Sequence, residues 1–258
     1  MTSGVRVAPR ALWRLVRTVA HVLHGAAIVW LRWPTLDEAG RQARIAWWAA
    51  KVLRLLGLQL QVDGQFRAGA TMLLANHVSW LDIMAVHAVC PRARFVAKAD
   101  VRHWPLVGWL SASVGTLFIE RERKRDALRV VHQIAQALRA GDMVGVFPEG
   151  TTGDGLALLP FHGNLLQAAI ATAVPVQGVA LRYSQPGQSP SPAALWVGDT
   201  TLLASLWAVA CASDLTVHLV VLPPHGTAHA DRRALAHHMR DLIDAVLRPP
   251  VRSPLHLP

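Results

Sequence analysis

Short apolar segments of strand length recur along this chain, and stretches with the periodicity of amphipathic helices lie between them. The six predicted strands cover residues 71–75, 93–97, 143–147, 174–181, 194–197 and 215–222. Helices are predicted at 124–140, 164–173 and 231–247. Because strands that alternate with helices form parallel sheets covered on both faces, the sequence predicts an α/β fold with a largely parallel central sheet flanked by helices.

The composition favours a protein that works at a membrane. Apolar residues make up 52% of the 258 residues and charged residues only 16%, against roughly 25% charged residues in soluble domains. The net charge of +10 suits either an anionic lipid surface or nucleic acid. No dense basic run with interleaved aromatic residues is present, which disfavours nucleic acid. No HExxH or CxxC spacing occurs, so no metal site is predicted.

Residues 1–58 are predicted to form a pair of amphipathic, membrane-associating helices separated at Pro34. The first helix carries basic residues at helical spacing, namely Arg10, Arg14, Arg17, His21 and His24. The apolar run that ends at Arg32 is shorter than the about 20 residues that a spanning helix needs. The pattern fits helices lying in the interface with Arg on lipid phosphates, at the cytoplasmic face of the inner membrane. The alternative is an ordinary helix pair that covers the sheet with its basic face in water.

His77 and Asp82 follow the first predicted strand, in the run NHVSWLD at residues 76–82. With His77 in the connection and Asp82 in the first turn of a helix, the carboxylate is expected to accept the imidazole Nδ1 proton. Nε2 is then left as a general base. The competing interpretation is a capping box, in which Ser79 and Asp82 only begin the helix.

Two further segments have the features of anion-binding sites. The run FPEGTTG at 147–153 follows a predicted strand, and its glycines allow close approach of backbone N–H groups to an anion. Arg121 follows the apolar run 117–119 and has the geometry to clamp a phosphate in a bidentate manner. A plain strand–helix connection and a solvated surface charge are the respective alternatives.

Taken together, the runs at 76–82, 115–121 and 147–151 resemble those of the glycerolipid acyltransferases that include lysophosphatidic acid acyltransferase. The resemblance covers about 71–181, within a predicted acyltransferase domain at 59–248 that an irregular tail at 249–258 follows. It implies that His77 is the catalytic base and that Asp82 orients it. It also implies that Arg121 binds the acceptor phosphate, in a site shaped by Glu149, Gly150 and Thr151.

The activity implied is transfer of a fatty acyl chain from acyl-CoA or acyl-carrier protein to the sn-2 hydroxyl of lysophosphatidic acid, giving phosphatidic acid without a further cofactor. The chain departs from the family at Thr152, where Arg or Ser is frequent, and at His162, where Lys is frequent. Both changes remove positive charge near the expected phosphate site. An alternative acceptor is therefore lyso-ornithine lipid, which has no phosphate. A second alternative is a non-catalytic lipid-binding membrane protein.

Overall fold

A computed structural model of the chain describes residues 4–119 and 124–248, apart from the side chains of residues 4–6 and 124–127. Arg121 and the predicted tail at 249–258 lie outside the described residues. The division of the chain at residue 58 and the irregular tail stay predictions.

A seven-stranded sheet forms the centre of the described part of the chain, in the order β1-β7-β6-β2-β5-β3-β4. The strands are β1 (Leu58–Asp63), β2 (Thr71–Ala75), β3 (Ala93–Lys98), β4 (Leu117–Ile119), β5 (Met143–Val146), β6 (Val176–Ser184) and β7 (Leu215–His225). All neighbouring pairs are parallel except β6 with β7. The predicted α/β class with a largely parallel sheet is confirmed.

Helices cover both faces of this sheet. They are α1 (Gly4–Leu31), α2 (Glu38–Leu56), α3 (Leu81–Val89), α4 (Val107–Ser113), α5 (Lys124–Arg139), α6 (Leu166–Thr172), α7 (Leu202–Cys211) and α8 (Arg232–Leu247). Apolar residues of α2, α3 and α7 pack with Leu73 and Ala75 of β2 on one face. Residues of α5, α6 and α8 pack with Met72 and Leu74 on the other. This alternation along a strand buried on both sides explains why β2 reads as one continuous apolar run.

The strand predicted at 194–197 is wrong, because these residues form a turn and an irregular segment. The backbone N–H of Trp196 donates to Val78 O at 3.0 Å, so this segment bonds to a loop and not to the sheet. The edge strand β1 was not predicted, since Gln59, Gln61 and Asp63 interrupt its apolar pattern.

The predicted amino-terminal helix pair is present as α1 and α2, and Pro34 lies in a short 3₁₀ turn between them. Arg14 Nη1 donates to Ala210 O at 3.0 Å and to Ala212 O at 2.7 Å, at the carboxyl end of α7. Arg10 bonds Cys211 O in the same region. A cation is favourable at a helix carboxyl terminus. These two arginines therefore bind carbonyl groups of the protein itself at the end of α7. The expectation that both lie on lipid phosphates is corrected.

The exposed surface of α1 is largely apolar and includes Arg17, whose guanidinium lies over the ring of Trp13. The exposed large apolar side chains of α1 are Leu12, Trp13, Val16, Val19, Leu23, Trp30 and Leu31. Within 4–119 and 124–248, no helix combines the length and the apolar character needed to cross a bilayer.

Candidate active site

The candidate site lies at the carboxyl edge of two neighbouring parallel strands, β2 and β5. His77 comes two residues after the end of β2, and Glu149 comes three residues after the end of β5. The His77 N–H donates to Glu149 Oε1 at 2.7 Å, and the Gly153 N–H donates to His77 O at 2.7 Å. His77 and Glu149 are 72 residues apart in the sequence, and the pairing of β2 with β5 brings them into direct contact.

His77 and Asp82 form the hydrogen-bonded pair that their spacing predicts. Nδ1 of His77 lies 2.8 Å from Oδ2 of Asp82. An ionised carboxylate only accepts hydrogen bonds, so Nδ1 carries the proton and the lone pair is on Nε2. The Asp82 side chain is fully buried, whereas the His77 side chain is 21% exposed. The base is thus within reach of a substrate, and its partner is shielded from water.

Asp82 also organises the connection before α3. Its Oδ2 accepts the N–H of Val78 at 2.8 Å and the N–H of Ser79 at 2.9 Å. The hydroxyl of Ser79 is buried and has no hydrogen-bond partner within 4–119 and 124–248, so only the carboxylate half of a capping box is formed. The two interpretations of this run are therefore compatible, because one carboxylate both fixes the loop backbone and holds the imidazole.

The imidazole ring of His77 lies flat against the side chain of Phe147. The two ring centroids are 3.8 Å apart and the planes differ by 14°. Phe147 in turn stacks on Phe95, with centroids 5.4 Å apart. One ring face of the base is covered, which restricts rotation of the imidazole out of the plane that Asp82 sets.

Two more side chains connect this region to β6. The amide of Asn76 donates to Leu181 O at 2.9 Å and accepts from Leu181 N at 2.7 Å, which continues the β2–β6 pairing beyond the end of β2. The Tyr183 hydroxyl donates to Asp82 Oδ1 at 2.7 Å. Sequence reasoning did not find Tyr183 or the stacking role of Phe147. The only signal for the former is that Tyr183 is the single Tyr of the chain.

Glu149 is buried and holds backbone groups. Its Oε2 accepts the Leu159 N–H at 2.9 Å, while Oε1 accepts that of His77. Burial raises the pKa of the Glu149 carboxyl above its ordinary value, although these two bonds oppose the shift. The described contacts make Glu149 a brace between two loops. Its predicted part in shaping a phosphate site stays a prediction.

The rest of the turn after β5 is more open. Gly150 has φ +75°, a conformation that favours glycine, and Thr151 is exposed. The Thr152 hydroxyl donates to Trp196 O, which ties the segment wrongly predicted as a strand to this turn. The phosphate-binding roles of Gly150, Thr151 and Arg121 remain predictions.

The charges of this turn are acidic. Residues 148–161 contain Glu149 and Asp154 and neither Lys nor Arg. Asp154 is exposed, and its Oδ1 accepts the Leu156 N–H at 2.9 Å. His162 follows and is exposed as well. Among the described residues, the segment itself contributes no permanent positive charge, but the guanidinium of Arg240 in α8 lies against it and donates to Leu158 O at 2.6 Å and to Leu159 O at 3.2 Å.

Comparison with known proteins places these features in one family. The Acyltransferase family model matches residues 59–182. The lyso-ornithine lipid O-acyltransferase of Pseudomonas aeruginosa is 36% identical over 237 residues, which cover 91% of each chain. The 1-acyl-sn-glycerol-3-phosphate acyltransferase of Neisseria meningitidis is 34% identical over 194 residues, or 74% of this chain and 75% of that protein.

The fold also matches a solved structure. The crystal structure of the 1-acyl-sn-glycerophosphate acyltransferase from Thermotoga maritima superposes with a TM-score of 0.71 over 95% of each chain, at 19% identity. At that identity the likeness concerns the fold alone. On the strength of the sequence relatives, this chain belongs to the acyltransferase family.

Proposed function

We propose that this enzyme transfers a fatty acyl chain from acyl-CoA or acyl-carrier protein to the hydroxyl group of a lysolipid, and that the lysolipid is lyso-ornithine lipid. The sequence alone favoured lysophosphatidic acid as the acceptor. The alternative now has the stronger support, because similarity to a protein named for lyso-ornithine lipid extends over 91% of the chain.

The chemistry follows from the pairing of His77 with Asp82. His77 Nε2 removes the proton of the acceptor hydroxyl while that oxygen attacks the carbonyl carbon of the thioester. The tetrahedral intermediate then collapses, the C–S bond breaks, and the imidazolium returns the proton to the departing sulfur. Asp82 holds the ring in the required tautomer and stabilises the imidazolium that forms. An intact, hydrogen-bonded pair argues against a scaffold that only binds lipid.

The observation that carries the choice of acceptor is the acidic turn after β5. A phosphate monoester needs cationic or N–H donors, whereas the exposed charged side chain of 148–161 is the carboxylate of Asp154, since Glu149 is buried and bonded to backbone N–H groups. The ornithine headgroup carries a side-chain ammonium besides its carboxylate, and an exposed carboxylate such as Asp154 attracts the ammonium. Lysophosphatidic acid is the second candidate, supported by the Neisseria relative and by Arg121 at the position that the family uses for phosphate.

The experiment that tests the acceptor is a direct product analysis. Purified full-length protein is incubated with labelled acyl-CoA and separate samples of lyso-ornithine lipid, lysophosphatidic acid and lysophosphatidylcholine, and the products are identified by mass. The proposal predicts diacylated ornithine lipid as the main product. Preferential formation of phosphatidic acid would contradict the proposal and identify lysophosphatidic acid as the acceptor.

We also propose that the protein binds the cytoplasmic face of the inner membrane through α1. Support comes from the row of exposed apolar side chains on α1, in which Val16 is 53% and Leu23 56% exposed. Trp, which favours membrane interfaces, adds to this face at Trp13 and Trp30.

The membrane proposal is tested with substitutions that leave the core intact. Deleting residues 1–58 is unsuitable, because Val52, Leu53 and Leu56 of α2 are part of the core. Val16→Gln combined with Leu23→Gln should release the protein from anionic vesicles in sedimentation. Leu128→Gln, on a 67% exposed side chain of α5, is the control and should sediment like the original protein. Unchanged sedimentation of the double variant contradicts the proposal.

A further inference from the structure

Tyr183 is a fully buried polar side chain whose hydroxyl points at the candidate site. It lies next to the last residue of β6 and is 1% exposed. Its hydroxyl donates to Asp82 Oδ1 at 2.7 Å across 101 residues of sequence. Its aromatic ring packs in the same core cluster as Leu81 of α3. A buried hydroxyl is costly unless it has a partner, and here the partner is the carboxylate that holds His77.

The position of Tyr183 is fixed by the pairing of β6 with β2. Ala75, the last residue of β2, is in register with Val179. The Asn76 amide then binds both backbone groups of Leu181. Alternate residues of a strand point to one face, so Tyr183 lies on the same face as Val179 and Leu181, against α3. Asp82 is therefore held between the loop of His77 on one side and the phenol on the other.

The two oxygens of Asp82 have different partners. Oδ2 accepts three hydrogen bonds, from His77 Nδ1 and the N–H groups of Val78 and Ser79. Oδ1 accepts the bond from Tyr183. Rotation of the carboxylate about Cβ–Cγ moves Oδ2 and misaligns its bond to His77. The bond at Oδ1 adds to the three at Oδ2 in opposing this rotation.

The phenol is suited to this task because it keeps its proton. Burial, together with the neighbouring Asp82 charge, raises the pKa of Tyr183 well above its ordinary value. The phenol therefore stays a donor, and the Asp82 carboxylate accepts its bond through Oδ1.

We propose that Tyr183 is a positioning residue that fixes the plane of the Asp82 carboxylate and thereby holds His77 as a base with its lone pair on Nε2. The catalytic part of this statement rests on the proposed function, since it assumes that His77 is the general base. The geometric part concerns only the three side chains and is testable without any substrate.

The substrate-free test observes the Nδ1 proton of His77 by NMR in protein with labelled histidine. A proton shared with a buried carboxylate resonates downfield of the amides, and the His77→Gln variant identifies it by its loss. Tyr183→Phe keeps the ring and removes the hydroxyl, so we expect this proton to exchange with water at least about tenfold faster, as suits a lost bond to a charged group. An unchanged resonance and exchange rate in folded Tyr183→Phe protein overturns the proposal.

The control removes a buried hydroxyl elsewhere. Thr227 is 1% exposed, and its hydroxyl donates to Val174 O at 3.0 Å, at the opposite end of β6. Thr227→Val should leave the His77 resonance unchanged, and an equal change in both variants overturns the proposal. Because Tyr183 is the only Tyr, growth on 3-fluorotyrosine alters this phenol alone and preserves the fold. It should move the His77 resonance, and the absence of any movement counts against the coupling.

Kinetics then separate positioning from general destabilisation. Tyr183→Phe should lower kcat about tenfold, the effect of losing a hydrogen bond to a charged group, with the KM of both substrates unchanged. In an Asp82→Ala background the same substitution should have no further effect, because the phenol acts through that carboxylate. An additive loss overturns the inference. If the original protein acylates no lysolipid, the proposed function fails while the NMR test still decides the geometry.

Discussion

The backbone N–H of His77 donates a 2.7 Å hydrogen bond to the buried carboxylate of Glu149. This bond joins the loop after β2 to the turn after β5. Glu149 therefore has a structural role that its position in a predicted phosphate-binding motif does not suggest. The bond also explains why an acidic side chain is present beside a site that is expected to bind an anionic thioester donor.

Glu149→Gln should impair both folding stability and catalysis. An amide has one acceptor oxygen, so its NH₂ group is left facing one of the two N–H donors that the carboxylate satisfies. We expect a loss of about 1–3 kcal/mol in the free energy of unfolding, measured by urea denaturation, together with a fall in kcat. Asp63→Asn, on an exposed carboxylate of β1, should change neither quantity.

Phe147→Leu should lower kcat with little change in KM, because it removes the surface on which the His77 ring lies. Phe95→Leu is the matched control, since Phe95 stacks on the far side of Phe147. Both substitutions remove an aromatic ring from the core, at a cost of about 1–3 kcal/mol in stability. Steady-state kinetics should show the larger kcat loss for Phe147→Leu, and equal losses would contradict a role for the stack.

The stability of the protein should fall in mild acid, partly through His87. Burial lowers the pKa of His87, whose ring N–H donates to Ala93 O at 2.9 Å. In the unfolded state the pKa of the imidazole is about 6.5. Below that pH the unfolded state binds a proton at His87, whereas the folded state does not until the pH is lower. Stability is therefore present above the unfolded pKa and is lost as the pH falls below it. The contribution is at most about 1.4 kcal/mol per pH unit.

Urea denaturation at a series of pH values checks this effect. His87→Gln keeps a donor for Ala93 O and removes the titrating group, so its stability should depend less steeply on pH between about 7 and 5. His132→Gln, at an exposed position of α5, should keep the original slope. The prediction is wrong if His87→Gln and the original protein lose stability in parallel.

Asp154→Asn should reduce selectivity for lyso-ornithine lipid. The substitution removes the charge but retains Oδ1, which accepts the Leu156 N–H. We expect kcat/KM to fall roughly two- to fivefold with lyso-ornithine lipid, in the range of a weakened exposed ion pair, and to stay equal or rise with lysophosphatidic acid. Asp199→Asn, a second exposed carboxylate, is the control. An equal fall with both acceptors contradicts recognition of the ammonium group.

Much of the fold was predictable because strands buried on both faces appear as uninterrupted apolar runs, as in β2 and β5. The same criterion failed at 194–197, where apolar residues pack over a loop and Trp196 bonds Val78 O. Local apolarity does not distinguish a strand from a buried connection. The edge strand β1 was not predicted, because Gln59 and Gln61 face solvent and interrupt its apolar pattern.

The site was predictable only where it is local in sequence. His77 and Asp82 are five residues apart, so the turn geometry determines their contact. Tyr183 and Phe147 reach the same pair through the register of β6 and β5 against β2, which residue spacing does not specify. The sequence likewise does not specify whether the basic residues of α1 face lipid or protein. Arg14 faces protein because it binds carbonyl groups at the end of α7.

The most direct test of this account is the rate of acyl transfer from labelled acyl-CoA to lyso-ornithine lipid by folded His77→Ala protein, compared with the original protein. The account predicts that the original protein forms the diacylated product and that the variant is slower by about 10²–10⁴-fold, the contribution of a positioned general base. Circular dichroism should show that the variant is folded, while its melting temperature should fall because it loses the bond to Asp82 and the contact with Phe147. Near-normal turnover by the folded variant contradicts the assignment of His77 as the base.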